Sequence, residues 1–212
     1  MFIDFLFKID NLFYILPFIL AFVLSLIITP IIKSLAWRFN ILDRPSKERK
    51  IHKKETALMG GLVIFISLFF TLFLFKDQFL SGDLSSRHLL GFFIGALFLM
   101  IGGVLDDKYN LSPLKQIIFP ILAILSVIIG GVEITKLSNP GGGIISLELI
   151  PFLSEILIFF WLLGMMYTTK LLDGVDGLVS GVGLIASFII FLFTLSSSYF
   201  QPDIALAAII FS

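Results

Sequence analysis

Six long apolar runs separated by short polar segments constrain this chain more than any other feature. They fall at residues 12–32, 58–75, 89–105, 117–132, 150–167 and 178–195. A helix needs roughly 20 apolar residues to cross about 30 Å of hydrocarbon, and the runs are of that order. A seventh starts near Ile204 and reaches Ser212 after nine residues, only about 14 Å of helix. The expected fold is an all-α polytopic membrane protein with six complete spanning helices and the start of a seventh. These form one transmembrane domain over 1–212, read as the N-terminal part of a longer polytopic chain. Composition agrees: 58% of the 212 residues are hydrophobic and 14% are charged, against about 45–50% and about 25% in soluble domains. A disordered chain, an ordinary soluble enzyme and a nucleic-acid-binding module are excluded. With no cysteine there is no disulfide framework, thiolate nucleophile or Cys-based metal site.

The formal net charge is zero, from 15 basic and 15 acidic residues, but the charges are unevenly placed. Lys33, Arg38, Arg44, Lys47, Arg49, Lys50, Lys53 and Lys54 put eight of the fifteen cations between the first two runs. Basic loops stay inside, so this loop is expected in the cytoplasm and the N-terminus outside. The first ten residues lack a basic n-region and a small-residue cleavage site, so no removable signal peptide is read. Counting spans then places 106–115 and 168–177 inside as well, and 76–88, 133–149 and 196–203 outside. Segment 133–149 alternates polar and apolar residues around Asn139-Pro140-Gly141-Gly142-Gly143. This predicts a small extracytoplasmic β-hairpin.

Three polar constellations share the inner face. Asp106 and Asp107 close the third run. Adjacent carboxylates suppress each other's ionisation, and the C-terminal end of a helix disfavours anions. They could form a solvated turn, serve as a general base, or hold a divalent cation. The second constellation is Asp173-Gly174-Val175-Asp176-Gly177. Its acids are three apart and would share a face on a helical turn, while its glycines permit close ligand approach. A plain Asp/Gly turn between spans is the bland alternative. The third is the basic loop, ending in Arg49-Lys50-Ile51-His52-Lys53-Lys54 and followed by Met59-Gly60-Gly61. It could simply enforce topology. A basic loop and paired acids on one surface also suit a phosphate-rich ligand with a metal, or an anionic lipid head group.

Together these segments resemble the polyprenyl-phosphate N-acetylhexosamine-1-phosphate transferase family, which joins WecA-type and MraY-type enzymes. The matching pieces are Leu42-Asp43-Arg44-Pro45, Arg49-Lys50-Ile51-His52 and Met59-Gly60-Gly61. They continue with 105–113 (Leu-Asp-Asp-Lys-Tyr-Asn-Leu-Ser-Pro) and 173–178 (Asp-Gly-Val-Asp-Gly-Leu). The Asp-Arg-Pro and Arg-Lys-x-His elements are more similar to the WecA branch. The MraY branch usually shows Thr-Pro-Thr where this chain has Thr56-Ala57-Leu58.

The resemblance implies transfer of an N-acetylhexosamine-1-phosphate from a UDP-sugar to undecaprenyl phosphate at the cytoplasmic face. UMP would be released, in cell-envelope glycan synthesis at the bacterial inner membrane. It implies catalytic roles for Asp106 and Asp107, and nucleotide-sugar contacts for Asp173, Asp176, Gly174, Gly177 and Lys53. Phosphate contacts are implied for Arg44, His52, Lys170 and Asn110. The implied cofactor is Mg²⁺, with Mn²⁺ as an alternative, on Asp107 and Asp173. Implied partners are UDP-N-acetylhexosamine, undecaprenyl phosphate and the lipid bilayer, with no nucleic acid; a homodimer is compatible. Two departures stand out. Lys170 occupies a position where the family usually has an Asn able to contact metal, and a protonated ammonium cannot be a ligand. The family's later Gly-Asp-x-Gly-Ser-like and His-rich loops do not occur within these residues, so the main metal ligand is expected beyond residue 212. Alternatives are an MraY-like phospho-MurNAc-pentapeptide transferase and a non-catalytic fragment or degenerate homologue that only binds polyprenyl phosphate. A transporter is disfavoured, because transporters place ionisable groups near the bilayer midplane.

Overall fold

The computed structural model describes residues 11–43, 55–80, 84–147, 150, 152–174, 177–194 and 202–211. These residues are mostly helical, with two small antiparallel sheets. In chain order the elements are α1 (Asn11–Arg38), β1 (Leu42–Asp43), β2 (Thr56–Ala57), α2 (Gly60–Leu74), α3 (Lys76–Phe79) and α4 (Ser86–Tyr109). They continue with α5 (Pro113–Gln116), α6 (Ile118–Ile129), β3 (Lys136–Ser138), β4 (Ile144–Ser146), α7 (Leu153–Leu172), α8 (Leu178–Thr194) and α9 (Pro202–Phe211).

Each apolar run of the sequence forms a helix, but not all reach full spanning length. Among the described residues, three helices are long and apolar enough to cross a membrane: Tyr14–Arg38, Ser86–Tyr109 and Leu153–Leu172. The other runs give shorter apolar helices, Gly60–Leu74, Pro113–Ile129 and Leu178–Thr194. Local backbone geometry explains one shortfall: Met59, at φ 73°, adopts a left-handed conformation that delays α2 to Gly60. Six complete spans are therefore not established by helix length. Large apolar side chains such as Phe22, Trp161 and Phe193 lie exposed on α1, α7 and α8, the arrangement expected of surfaces in contact with lipid rather than water.

The described residues divide into two compact units. The first draws on Met1–Leu84, Gly103–Asn110 and Ser180–Ser212. Here α1 packs along α2, and α9 packs on α1, α2 and α3. Ala21, Ile32 and Ala36 of α1, Val63, Phe69 and Leu72 of α2, and Ala205 and Leu206 of α9 are buried. The start of the expected seventh span is thus a core element of this unit. Buried hydroxyls are satisfied within their own helix: Ser67 Oγ donates to Val63 O at 2.7 Å and Thr71 Oγ1 to Ser67 O at 2.8 Å, so neither is left unpaired in an apolar setting. Tyr14 meets Phe191 edge to face, 5.7 Å between centroids.

The second unit draws on Ser85–Gly102 and Leu111–Val179. Glycines let α4 and α6 approach backbone to backbone. A Cβ on Gly91 would lie 2.8 Å from Gly130 Cα, and one on Gly95 would lie 2.9 Å from Ala123 O. At the end of α6, Arg87 donates from Nε and Nη2 to Ile129 O, at 3.1 and 2.9 Å. A cation is favourable there, against the negative end of the helix dipole. His88 Nδ1 accepts from the Ser85 N–H at 3.2 Å, while its Nε2 lies 3.1 Å from Gly131 O. One neutral tautomer, with the proton on Nε2, satisfies both contacts. Helix α7 packs on α6. The hairpin read from the sequence is present, with Lys136 opposite Ser146 and Ser138 opposite Ile144. Its turn needs glycine at Gly142 and Gly143, where φ is 98° and 88°.

Candidate functional site

Asp106 and Asp107 sit in the last turn of α4, within the first unit. The helix stops because Asn110 turns left-handed, at φ 50°, while its N–H closes on Asp106 O at 2.8 Å. Asn tolerates that conformation better than other non-glycine residues. Asn110, expected among the phosphate contacts, is exposed and serves here as the helix stop.

The Asp107 carboxylate is held from outside its own helix. Its Oδ2 accepts a hydrogen bond from the Met59 backbone N–H at 3.3 Å. Met59 caps the N-terminus of α2 and makes no side-chain cap bond. A carboxylate disfavoured at the negative end of α4 is thereby placed at the positive end of α2. The residues before Met59 are fixed too: Leu58 N–H donates to Ile41 O at 3.3 Å, and β1 pairs with β2 as Leu42 to Ala57 and Asp43 to Thr56. This two-residue ribbon clamps together the two ends of the basic loop. Both ends therefore lie next to the turn that holds Asp107. Lys108 Nζ lies 5.4 Å from the Tyr109 ring centre, a cation–π contact. Arg44, His52 and Lys53 lie outside the described residues.

In the second unit, Asp173 follows the last residue of α7 and Gly174 continues the turn. The spacing had suggested that Asp173 and Asp176 share a helical face. The helix ends at Leu172, so Asp173 is not helical, and Asp176 lies outside the described residues. A Cβ on Gly174 or Gly177 would meet nothing within 4 Å, so neither glycine is required by packing. At Gly177 the left-handed backbone gives the reason for glycine.

Lys170 donates from Nζ to Gln116 Oε1 at 2.6 Å, and Gln116 Nε2 donates to Leu111 O at 2.8 Å. The residue that departs from the family pattern therefore ties α7 to α5 and to the segment before it. Nothing in the sequence marks Gln116, or the Met59 amide as the partner of Asp107. Each pairing joins residues 48 or 54 positions apart, and no local spacing signals either one.

The oxygen donors here suit Mg²⁺, a hard cation usually bound by one or two carboxylates with water and substrate phosphates. Among the described residues, no three His, Asp or Glu side chains gather into a metal-holding group.

Residues 89–212 match the model of glycosyl transferase family 4. The chain is 29% identical over 180 residues to a probable undecaprenyl-phosphate N-acetylglucosaminyl 1-phosphate transferase of Bacillus subtilis, covering 81% of this chain and 45% of that one. It is 27% identical over 165 residues to the decaprenyl-phosphate N-acetylglucosaminephosphotransferase of Mycobacterium tuberculosis, covering 77% and 41%. It is 35% identical over 151 residues to a phospho-N-acetylmuramoyl-pentapeptide-transferase of Listeria monocytogenes, covering 65% and 45%. The chain thus spans under half the length of these relatives. No solved structure matches it. The family match takes in more than half of the chain, including the Asp106-Asp107 pair and the Asp-Gly segment at 173–177, and by that match the chain belongs to glycosyl transferase family 4.

Proposed function

We propose that this chain is part of an enzyme transferring N-acetylhexosamine-1-phosphate from a UDP-sugar to undecaprenyl phosphate. The observation that carries the reading is the Met59–Asp107 hydrogen bond, because it joins the acidic pair to the turn where both ends of the basic loop meet. In this reaction an oxygen of the lipid phosphate attacks the β-phosphorus of the UDP-sugar. A new P–O bond forms, the bond from the β-phosphorus to the bridging oxygen breaks, and UMP leaves with that electron pair. Positioning and charge neutralisation supply most of the catalysis in such transfers.

Asp106 and Asp107 take the lipid-phosphate side, where a carboxylate can accept a proton from the attacking phosphate or orient it. Asp173, Asp176, Gly174, Gly177 and Lys53 take the nucleotide sugar. Arg44, His52 and Lys170 supply phosphate contacts, with Asn110 beside them. Mg²⁺, when bound, neutralises phosphate charge, and Asp107 and Asp173 are the carboxylates that the sequence resemblance offers it. The proposed topology keeps six spans and the start of a seventh, the N-terminus outside and the acidic turns in the cytoplasm. The uneven basic charge supports that orientation.

The N-acetylglucosamine transferases among the relatives support UDP-GlcNAc as donor. The 35% identity to the Listeria pentapeptide transferase supports a second reading, with UDP-MurNAc-pentapeptide as donor. UMP release by the purified full-length protein, with undecaprenyl phosphate and each donor in turn, separates the two. Turnover of UDP-GlcNAc alone is the expected result. Turnover of the pentapeptide donor alone moves the protein to the second reading, and turnover of neither removes the enzyme proposal.

A further inference from the structure

We infer that Met59 is a positioning residue for Asp107, acting through its left-handed backbone and not through its side chain. Met59 has φ 73° and ψ 15°, a conformation that costs a non-glycine residue free energy and persists only where its surroundings over-determine it. The surroundings here do so. Leu58 N–H is committed to Ile41 O at 3.3 Å, and Met59 O accepts the Leu62 N–H at 3.1 Å, in the first turn of α2. Held on both sides, the Met59 N–H points to Asp107 Oδ2 at 3.3 Å.

A right-handed or extended residue at 59 would rotate that N–H away and release the carboxylate. With Oδ2 occupied, Asp107 presents Oδ1, which carries no hydrogen bond from a described residue. One backbone amide thus selects which carboxylate oxygen is offered to the ligand. This assignment rests on the proposed transferase reading for its effect on rate, but not for the contact itself.

A substitution series in the full-length protein separates backbone from side chain. Met59→Gly and Met59→Asn keep left-handed geometry accessible and are expected to retain kcat within about twofold. Met59→Val disfavours that geometry and is expected to lower kcat by about tenfold or more, with KM for the UDP-sugar unchanged. Met59→Leu carries the same left-handed cost as Met and is expected to stay near wild type. Because Met59→Val could fail to fold, Met59→Gly decides, since it removes the side chain and keeps the backbone. If Leu retains activity while Gly loses it, the side chain is the working part and the inference is overturned.

Amide hydrogen exchange supplies a readout independent of turnover. Protection of the Met59 amide is expected to fall in Asp107→Ala and to persist in Asp106→Ala. Equal protection in Asp107→Ala and wild type overturns the assignment. A wild-type protein that releases no UMP while showing the expected exchange pattern removes the transferase reading and leaves the Met59–Asp107 link standing.

Discussion

The Met59 backbone N–H donates to Oδ2 of Asp107 at 3.3 Å, linking positions 48 apart in the chain. The bond joins the end of α4 to the start of α2, so a carboxylate unfavourable at the end of its own helix accepts a hydrogen bond at the N-terminus of another. It also ties the acidic pair to the ribbon that closes the basic loop.

Helix α4 carries adjacent glycines with opposite expected behaviour. A Cβ on Gly102 would lie 2.6 Å from Phe119 Cβ, whereas one on Gly103 meets nothing within 4 Å. Gly102→Ala is expected to destabilise by about 1–3 kcal/mol through overpacking. Gly103→Ala is expected to be neutral, or to stabilise by up to about 1 kcal/mol through helix propensity. Thermal unfolding of the detergent-solubilised protein checks both, as a lowered midpoint for the first and an equal or raised one for the second.

The Lys170–Gln116 bond predicts non-additive effects. Lys170→Met and Gln116→Leu both remove this interaction, and Gln116→Leu also loses the bond to Leu111 O, so the double variant should be little worse than Gln116→Leu alone, with a coupling of about 1 kcal/mol. A double-mutant cycle on stability measures this. Strict additivity would show that the 2.6 Å contact contributes nothing to the folded protein.

Asn110 tests its role as a helix stop against a role in phosphate binding. With φ at 50°, Asn110→Gly should keep both stability and KM for the UDP-sugar, and Asn110→Ala should cost about 1 kcal/mol. Steady-state kinetics with thermal unfolding check it. A raised KM in Asn110→Gly, at unchanged stability, would return the side chain to the phosphate site.

The parts of this structure legible in the sequence are those encoded locally. Apolar runs became helices because each carries its own period and length, and Asn139-Pro140-Gly141-Gly142-Gly143 became a hairpin turn because its glycines permit positive φ. Helix ends were less legible. The run at 58–75 loses its first residues to the left-handed Met59, a conformation that Met does not advertise. The ribbon of Leu42–Asp43 with Thr56–Ala57 is too short for any alternation to show. Asp106 and Asp107 could be singled out as two acids at the end of an apolar run. What orients Asp107 could not, because its partner is a backbone amide and carries no residue-type signal.

The most direct test of the account is UMP release from UDP-GlcNAc by the full-length protein carrying Asp107→Asn, with undecaprenyl phosphate as acceptor. The substitution keeps the side chain's shape and removes its charge and its proton-accepting oxygen pair. The account predicts a fall in kcat of about a hundredfold or more, with the protein still folded. Turnover equal to wild type would contradict it.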